Sequence, residues 1–164
     1  MIAPGLKVLF VGINPGLYSA ATGHHFARPG NRFWPALHLA GFTPTQLHPS
    51  EQERLLDSGY GITNLVNRGT ASADELAPGE FVQGRRRLAA KVRRYSPKIV
   101  AFLGVGAYCH AFECKRAGVG PQAERFEGSQ VWLLPNPSGL NANYQLGSLV
   151  KLFRDLWRQS SKSR

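Results

Sequence analysis

The stretch "LKVLFVG", from Leu6 to Gly12, decides the fold class of this chain. It is a short apolar run that ends at a glycine, which is typical of a strand buried in a parallel sheet. Two later runs repeat the pattern: "KIVAFLG" at Lys98–Gly104, and "QVWLLPNPSG" at Gln130–Gly139, which closes in a Pro-Asn-Pro loop. A weaker fourth candidate is "GITNLV" at Gly61–Val66.

Helical patterns occupy the segments between and after these strands. We predict a helical stretch directly after Gly104 and helices over residues 31–40, 50–56, 79–95 and 146–158. Strands that alternate with helices indicate a three-layer α/β domain. The sequence has no internal repeat and no linker-like change of composition. We therefore predict a single domain over residues 1–164, with a frayed tail over residues 160–164.

The chain carries an excess of positive charge. It has 20 Lys and Arg against 10 Asp and Glu, which leaves a formal net charge of +10. This balance suits a nucleic acid or, less often, an anionic membrane surface, and solubility alone is the alternative. On the helix predicted over 79–95, Arg86, Arg93 and Arg94 share the face opposite the apolar residues. These arginines either contact phosphates or face solvent.

Cysteine content and apolar runs favour a reduced, cytoplasmic protein. Cys109 and Cys114 are the two cysteines, a poor basis for a disulfide framework and too few ligands for a zinc or iron–sulfur site. No run approaches the roughly 18 apolar residues of a membrane span, and the N-terminus lacks the pattern of a signal peptide. We expect a protein that binds neither metal nor membrane.

Two loops that follow strands have unusual sequences. In α/β sheets, ligands bind where loops leave the carboxyl ends of the strands. The loops are Gly12–Asn31 and Pro135–Asn143. Neither contains a P-loop or a dinucleotide fingerprint, and Ser138 has no nucleophile elbow and no assignable base. His24 and His25 make a poor metal site because no carboxylate lies in their loop.

The first loop also has the composition of a pocket for a flat polar ring. Backbone donors of its glycine-rich turn, Gly16 included, can pair with carbonyl oxygens while Phe26 stacks on the ring. Asn14 is an amide that can orient a water molecule but cannot strongly deprotonate it. The alternative is that Asn14, Pro15 and Gly16 form a simple β-turn and Phe26 fills the core.

Three motifs in register resemble one known family. "GINPGL" at Gly12–Leu17, "GHHFARPGNRFW" at Gly23–Trp34 and "LPNPSGLN" at Leu134–Asn141 are similar to the mismatch-specific uracil/thymine DNA glycosylases, a branch of the uracil-DNA glycosylase superfamily. The resemblance spans essentially the whole chain. It implies a three-layer α/β/α fold with a central four-stranded parallel sheet, and no cofactor. It also implies hydrolysis of the N-glycosidic bond of uracil in G:U mispairs, with ethenocytosine and thymine as further candidate bases.

The resemblance implies roles for residues of the first loop. Asn14 positions the attacking water, Phe26 stacks on the everted base, and backbone groups near Ile13 and Phe26 bond the edge of that base. Ser19 is small and leaves room in the pocket. Other branches have an aspartate where this chain has Asn14, so we expect a slow enzyme.

The second loop is expected to contact the duplex. By the resemblance, Leu140 is a wedge that enters the helix where the base leaves. The neighbouring main chain, at Ser138, Gly139 and Asn141, faces the widowed guanine.

Two further residues are open. His25 contacts the phosphate or the base edge, or only packs. Asp57 is either a supplementary water activator or the cap of a turn.

The expected partner is double-stranded DNA with G:U or G:T mispairs, bound by a monomer whose activity is associated with the nucleoid. Selectivity follows from pairing energy, because a wobble pair opens more readily than a Watson–Crick pair. One alternative is a non-catalytic domain that binds damaged or single-stranded DNA. Another is a nucleotide-binding enzyme that uses the "GINPG" turn and "GVG" at the end of the strand Lys98–Gly104.

Overall fold

The predicted strands pair into one sheet with helices on both faces. A computed structural model describes residues 1–162. The strands are β1 (Val8–Gly12), β2 (Tyr60–Asn64), β3 (Ile99–Leu103), β4 (Gly120–Phe126) and β5 (Ser129–Leu134). Their order in the sheet is β2-β1-β3-β5-β4. β2, β1, β3 and β5 run parallel to one another, and β4 pairs antiparallel with β5. The predicted α/β fold with four parallel strands is confirmed, and β4 adds a fifth strand.

The fifth strand has no clear signature in the sequence. β4 reads "GPQAERF", and Phe126 is its buried residue, so it has neither an apolar run nor a regular apolar alternation. Its pairing with β5 is irregular between Pro121 and Arg125. Proline and charged residues are tolerated here because an edge strand leaves one row of backbone groups unpaired.

The described part of the chain contains six α-helices. They are α1 (Leu17–Thr22), α2 (Phe33–Ala40), α3 (Arg54–Asp57), α4 (Pro78–Tyr95), α5 (Val105–Phe112) and α6 (Leu146–Lys162). The short helix α1 was not predicted and lies inside the first loop. The helix predicted over 50–56 is instead a 3₁₀ turn at Pro49–Glu51 followed by α3.

Alternation along the strands divides the core between two helical layers. In β1, Val8 and Phe10 face the layer of α2 and α6, whereas Leu9 and Val11 face the layer of α4 and α5. All four side chains are buried. This period of two is expected for a strand covered on both faces. The helices leave the carboxyl edge of the sheet to the loops.

The C-terminal helix α6 is longer than predicted. Its apolar face packs against α2 through fully buried residues such as Phe153 and Leu156. The helix continues to Lys162 because Ser160 is also buried, and its hydroxyl donates to the carbonyl oxygen of Trp157 at 2.8 Å. The prediction of a frayed tail is therefore wrong for residues 160–162, and residues 163–164 lie outside the described residues.

None of the helices within residues 1–162 has both the length and the apolar character needed to cross a membrane.

Candidate active site

A cavity of about 610 Å³ opens at the carboxyl ends of the parallel strands, and we call it the carboxyl-edge cavity. Its walls come mainly from three connections, β1 to α2, β2 to α4 and β5 to α6. The sequence-predicted residues that line it are Ile13, Asn14, Gly16, Ser19, His25, Phe26, Ser138, Leu140 and Asn141. Two loops more than 100 residues apart in the sequence therefore meet around one space.

Two hydrogen bonds fix the side-chain amide of Asn14. Its Nδ2 donates to the carbonyl oxygen of Arg68 and to Oγ1 of Thr70, both at 2.8 Å. Because a carbonyl oxygen can only accept, the contact with Arg68 identifies the nitrogen end of the amide. Both N–H groups are thereby used. The oxygen, Oδ1, remains to accept a hydrogen bond from a water or ligand in the cavity.

The ring of Phe26 is held in the cavity wall by its backbone and by a stacked neighbour. Phe26 has a φ of 52°, in the left-handed region that residues other than glycine rarely adopt. Its ring stacks on Phe33, with centroids 4.2 Å apart and planes 28° apart. Phe33 is fully buried, so it supports Phe26 from the core side while Phe26 itself lines the cavity. This arrangement suits stacking on a flat ring.

Neutral amides are the most frequent polar side chains in the lining. The chain has seven asparagines, and all of them lie in loops or at a strand end on the carboxyl edge. Six line the cavity: Asn14, Asn31, Asn64, Asn67, Asn136 and Asn141. Amides donate and accept hydrogen bonds without titrating. The lining is therefore suited to an uncharged polar ligand such as a nucleobase.

The connection from β2 to α4 supports Asn14 from behind. Arg68, whose carbonyl oxygen receives the Asn14 amide, donates from its guanidinium to both carboxylate oxygens of Glu80, at 2.9 and 3.0 Å. Glu80 also accepts from the backbone N–H of Ala77 at the start of α4. The hydrogen bonds from Arg68 and Ala77 lower the pKa of the Glu80 carboxyl group to about 2. The loop that holds Asn14 is thus anchored to a helix terminus.

Leu140 projects from the loop between β5 and α6 and is 72 % exposed. Local hydrogen bonds shape the turn that carries it. The backbone N–H of Ser138 donates to Oδ1 of Asn136 at 3.0 Å, and that of Leu140 donates to Oγ of Ser138 at 3.2 Å. An apolar side chain is therefore presented to solvent beside the cavity. Its role as a wedge stays a prediction.

The second loop fits tightly against the first at Gly139. A Cβ atom on Gly139 would lie 2.6 Å from the carbonyl oxygen of Gly30, so a larger residue would push the two backbones apart. Arg32, two residues after Gly30, donates hydrogen bonds to carbonyl oxygens of the second loop. Neither contact was predicted from the sequence.

Backbone and hydroxyl contacts position three other predicted residues. The carbonyl oxygen of Ile13 accepts from the backbone N–H of Val66 at 2.9 Å. Gly16 forms a parallel bridge to Thr70. The hydroxyl of Ser19 accepts from the backbone N–H of Ala27 at 3.1 Å, which fastens α1 to the turn that follows Phe26.

His25 is an uncharged group in this site. Burial, reinforced by the positive amino terminus, lowers the pKa of His25 to about 4. Its backbone N–H donates to Oε1 of Gln52 at 2.8 Å, and its carbonyl oxygen accepts from Nε1 of Trp34 at 3.0 Å. Neighbouring His24 has a buried Nδ1 without a hydrogen-bond partner among the described residues. A neutral His25 adds no positive charge for phosphate binding.

Asp57 does not reach the carboxyl-edge cavity. It is exposed and ends α3, ahead of β2, whereas the cavity lies beyond Asn64 at the other end of that strand. The five residues of β2 separate the two ends by about 13 Å at roughly 3.3 Å per residue. The prediction that Asp57 activates water is therefore wrong. Asp74, in the 3₁₀ turn Ala73–Glu75, is a carboxylate that does line the cavity.

Among residues 1–162, no group of three or more His, Cys, Asp or Glu side chains is arranged to hold a metal ion.

Sequence reasoning missed the residues that hold the predicted ones in place. Asn64 was assigned only to a strand and Arg32 only to a helix, and no role was predicted for Arg68 or Thr70. A usable signal was present, since every asparagine of the chain falls either within the last half of a predicted strand run or in the segment that follows one.

A family model described as the Uracil DNA glycosylase superfamily matches residues 1–159. The match includes all five strands and the three connections that form the cavity.

Proposed function

This chain belongs to the uracil-DNA glycosylase superfamily, and we propose that it is a monofunctional glycosylase that removes uracil opposite guanine from duplex DNA. It hydrolyses the N-glycosidic bond, acts as a monomer without a cofactor, and leaves an abasic site that starts base excision repair. The observation that carries this proposal is that Asn14 and Phe26 line the same cavity. The amide nitrogen of Asn14 is hydrogen-bonded to the protein, whereas its amide oxygen is left to accept a hydrogen bond in the cavity.

In this reaction Asn14 positions the nucleophile. Its Oδ1 accepts a hydrogen bond from a water and holds that water against the sugar carbon of the everted nucleotide. Orientation lowers the barrier because the reactants are already gathered in one geometry. An amide neither removes a proton nor stabilises the developing charge on the sugar as a carboxylate would. We therefore expect a slow chemical step.

The cavity also serves the leaving group. Bond cleavage leaves negative charge on the uracil ring, and hydrogen-bond donors aimed at its oxygens stabilise that charge as it develops. The amide of Asn64 and the main chain near Ile13 and Phe26 are suitable donors in the cavity wall. The ring of Phe26 stacks on the base meanwhile.

Selection of the target precedes the chemistry. A G:U or G:T wobble pair costs less to open than a Watson–Crick pair, and Leu140 fills the space that the base leaves. The formal charge of +10 supplies affinity for the phosphate backbone, which does not depend on sequence. The competing function is a non-catalytic domain that binds damaged or single-stranded DNA, which the same charge would serve.

The test is a single-turnover assay with excess protein on labelled duplexes that contain G:U, G:T, G:ethenocytosine, A:U or G:C pairs. Alkali converts each abasic site into a strand break. We expect the fastest breakage for G:U and none for G:C. Asn14→Ala should slow breakage by roughly 100-fold or more, the scale of a misplaced reactant, while binding to G:U duplex is retained.

Gln122→Ala is a matched control for Asn14→Ala. The amide nitrogen of Gln122 also donates two hydrogen bonds, to the carbonyl oxygens of Gly118 and Gly120, but it lies on the edge strand β4. Its loss should leave the rate unchanged. Retained binding without breakage by the wild-type protein would support the non-catalytic alternative. An unchanged rate for Asn14→Ala would mean that another group holds the water.

A further inference from the structure

The guanidinium of Arg32 makes an unusual set of contacts. Its Nη2 donates to the carbonyl oxygens of Ser138, at 2.6 Å, and Asn141, at 3.1 Å. Its Nη1 donates to the carbonyl oxygen of Tyr144. The backbone N–H of Arg32 donates to the carbonyl oxygen of Pro137 at 2.9 Å. The residue that directly follows the first loop thus holds four carbonyl groups of the segment from 137 to 144.

These four contacts lie on both sides of Leu140. Pro137 and Ser138 precede it in the chain, and Asn141 and Tyr144 follow it. The loop from 135 to 145 contains no helix or strand, and its other backbone hydrogen bonds are local. Arg32 is therefore the main polar link between the segment that carries Leu140 and the first loop.

The geometry calls for an arginine rather than a positive charge alone. A guanidinium is planar and presents several donors in a fixed fork, so it can serve three carbonyl oxygens at once. No carboxylate forms an ion pair with Arg32 among the described residues. Its contacts are all carbonyl oxygens, which indicates that it orients a backbone segment.

Arg32 is also the chain neighbour of the ring that supports Phe26. The next residue, Phe33, is the buried ring on which Phe26 stacks. The loop that carries Leu140 contacts Arg32, and the ring of Phe26 contacts Phe33. These are consecutive residues at the start of α2. A change in either attachment alters the distance between the wedge and the cavity.

We propose that Arg32 is a positioning residue that holds the loop carrying Leu140 at a fixed distance from the cavity. Leu140 can then enter the duplex at the same time as the everted base enters the cavity. The inference rests on the proposed function and deepens it. Arg32 does not line the cavity. It acts through the loop that carries Leu140, while the stacked rings of Phe33 and Phe26 stay in place.

The experiment compares Arg32→Lys and Arg32→Gln with Leu140→Ala. Eversion is followed by the fluorescence of 2-aminopurine placed beside the target uracil, since this base brightens when its neighbour leaves the stack. Cleavage is measured on a G:U duplex and on a bubble in which the uracil is already unpaired. Both Arg32 variants should weaken the eversion signal roughly tenfold or more, the scale of one lost stacking contact, as Leu140→Ala does. Cleavage in the bubble should be unchanged.

Arg154→Lys is the matched control, because Nη2 of Arg154 also donates to a backbone carbonyl, that of Leu39, at 2.9 Å. It should leave eversion and cleavage unchanged. Urea unfolding of every variant identifies one that fails to fold. Gly139→Ala, which disturbs the same loop at Gly30, supplies an independent second variant and should give the same split between duplex and bubble.

Wild-type eversion by Arg32→Lys and Arg32→Gln would overturn the inference, as would equal losses on duplex and bubble. A wild-type protein that everts the base without cleaving any uracil substrate would instead defeat the proposed function. In that case the 2-aminopurine fluorescence would still test whether Arg32 contributes to eversion.

Discussion

Replacing Gly12 with alanine adds one methyl group close to two residues that line the cavity, Asn64 and Phe26. An ideal Cβ on Gly12 lies 2.7 Å from Oδ1 of Asn64 and 3.2 Å from Cζ of Phe26. Gly12 ends β1, a central strand between β2 and β3, and its carbonyl oxygen accepts from the backbone N–H of Leu65 at 2.8 Å. Its φ is not positive, so alanine itself is unstrained there. The side chains of Asn64 and Phe26 therefore have to move.

The size of the effect follows from the overlap. Ordinary van der Waals contact begins at 3.4 Å, so the Oδ1 of Asn64 is about 0.7 Å too close to the new methyl group. Overpacking of this kind lowers the free energy of unfolding by about 1–3 kcal/mol. A displacement approaching 1 Å in a site costs up to about 100-fold in rate. We expect Gly12→Ala to slow single-turnover cleavage of G:U duplex by roughly 10- to 100-fold.

Two comparisons isolate the steric cause. Gly147→Ala, in the first turn of α6, places its Cβ in open space and should keep the rate, with a gain in unfolding free energy of up to about 1 kcal/mol. In an Asn64→Ala background the closest contact is absent, so Gly12→Ala should lower the free energy of unfolding by less than it does alone. The close contact between residue 12 and Asn64 would be refuted by two results together. The losses of unfolding free energy for Gly12→Ala and Asn64→Ala would add fully in the double variant, and Gly12→Ala would cleave at the wild-type rate.

Two further expectations concern stability. Gly84→Ala should lower the free energy of unfolding in urea by about 1–3 kcal/mol or more, because its Cβ would lie 2.1 Å from the carbonyl oxygen of Leu65. Gly79→Ala lies in the same helix but faces open space, so it should not lower the free energy of unfolding. Burial lowers the pKa of His25 from 6.5 to about 4, so the unfolded chain binds its proton at higher pH than the folded protein does. The free energy of unfolding should therefore fall as the pH is lowered from about 6.5 to 4, and less steeply in His25→Gln. Equal slopes for the two proteins would contradict this account.

The strands that build the sheet could be predicted because their burial on both faces leaves near-continuous apolar runs. β4 could not, since an edge strand is stabilised by pairing with β5 rather than by its own apolar residues. The helix α1 was missed because six residues give too little periodicity, and none of them is buried.

The site divides in the same way. Asn14 and Phe26 could be placed near each other because the topology of parallel strands brings their loop to the carboxyl edge. The contacts that hold them, such as those of Arg68 with Asn14 and Phe33 with Phe26, depend on tertiary packing and leave no local pattern. The role of water activator considered for Asp57 rested on closeness in sequence to "GITNLV". A residue that precedes a strand lies at the amino end of that strand, so the order of the chain already places Asp57 away from the carboxyl edge.

The clustering of asparagines at the carboxyl edge bears on how this protein ages. An asparagine loses ammonia spontaneously when the backbone nitrogen of the next residue attacks its side chain, and a following glycine speeds this reaction. None of the seven asparagines precedes a glycine, and both Asn14 and Asn136 precede a proline, which has no backbone N–H for that attack. Deamidation at Asn14 would replace the neutral amide with a carboxylate, and so would change the group that holds the water in the proposed reaction. The order of residues in the chain therefore slows chemical decay at the position on which the proposed reaction depends.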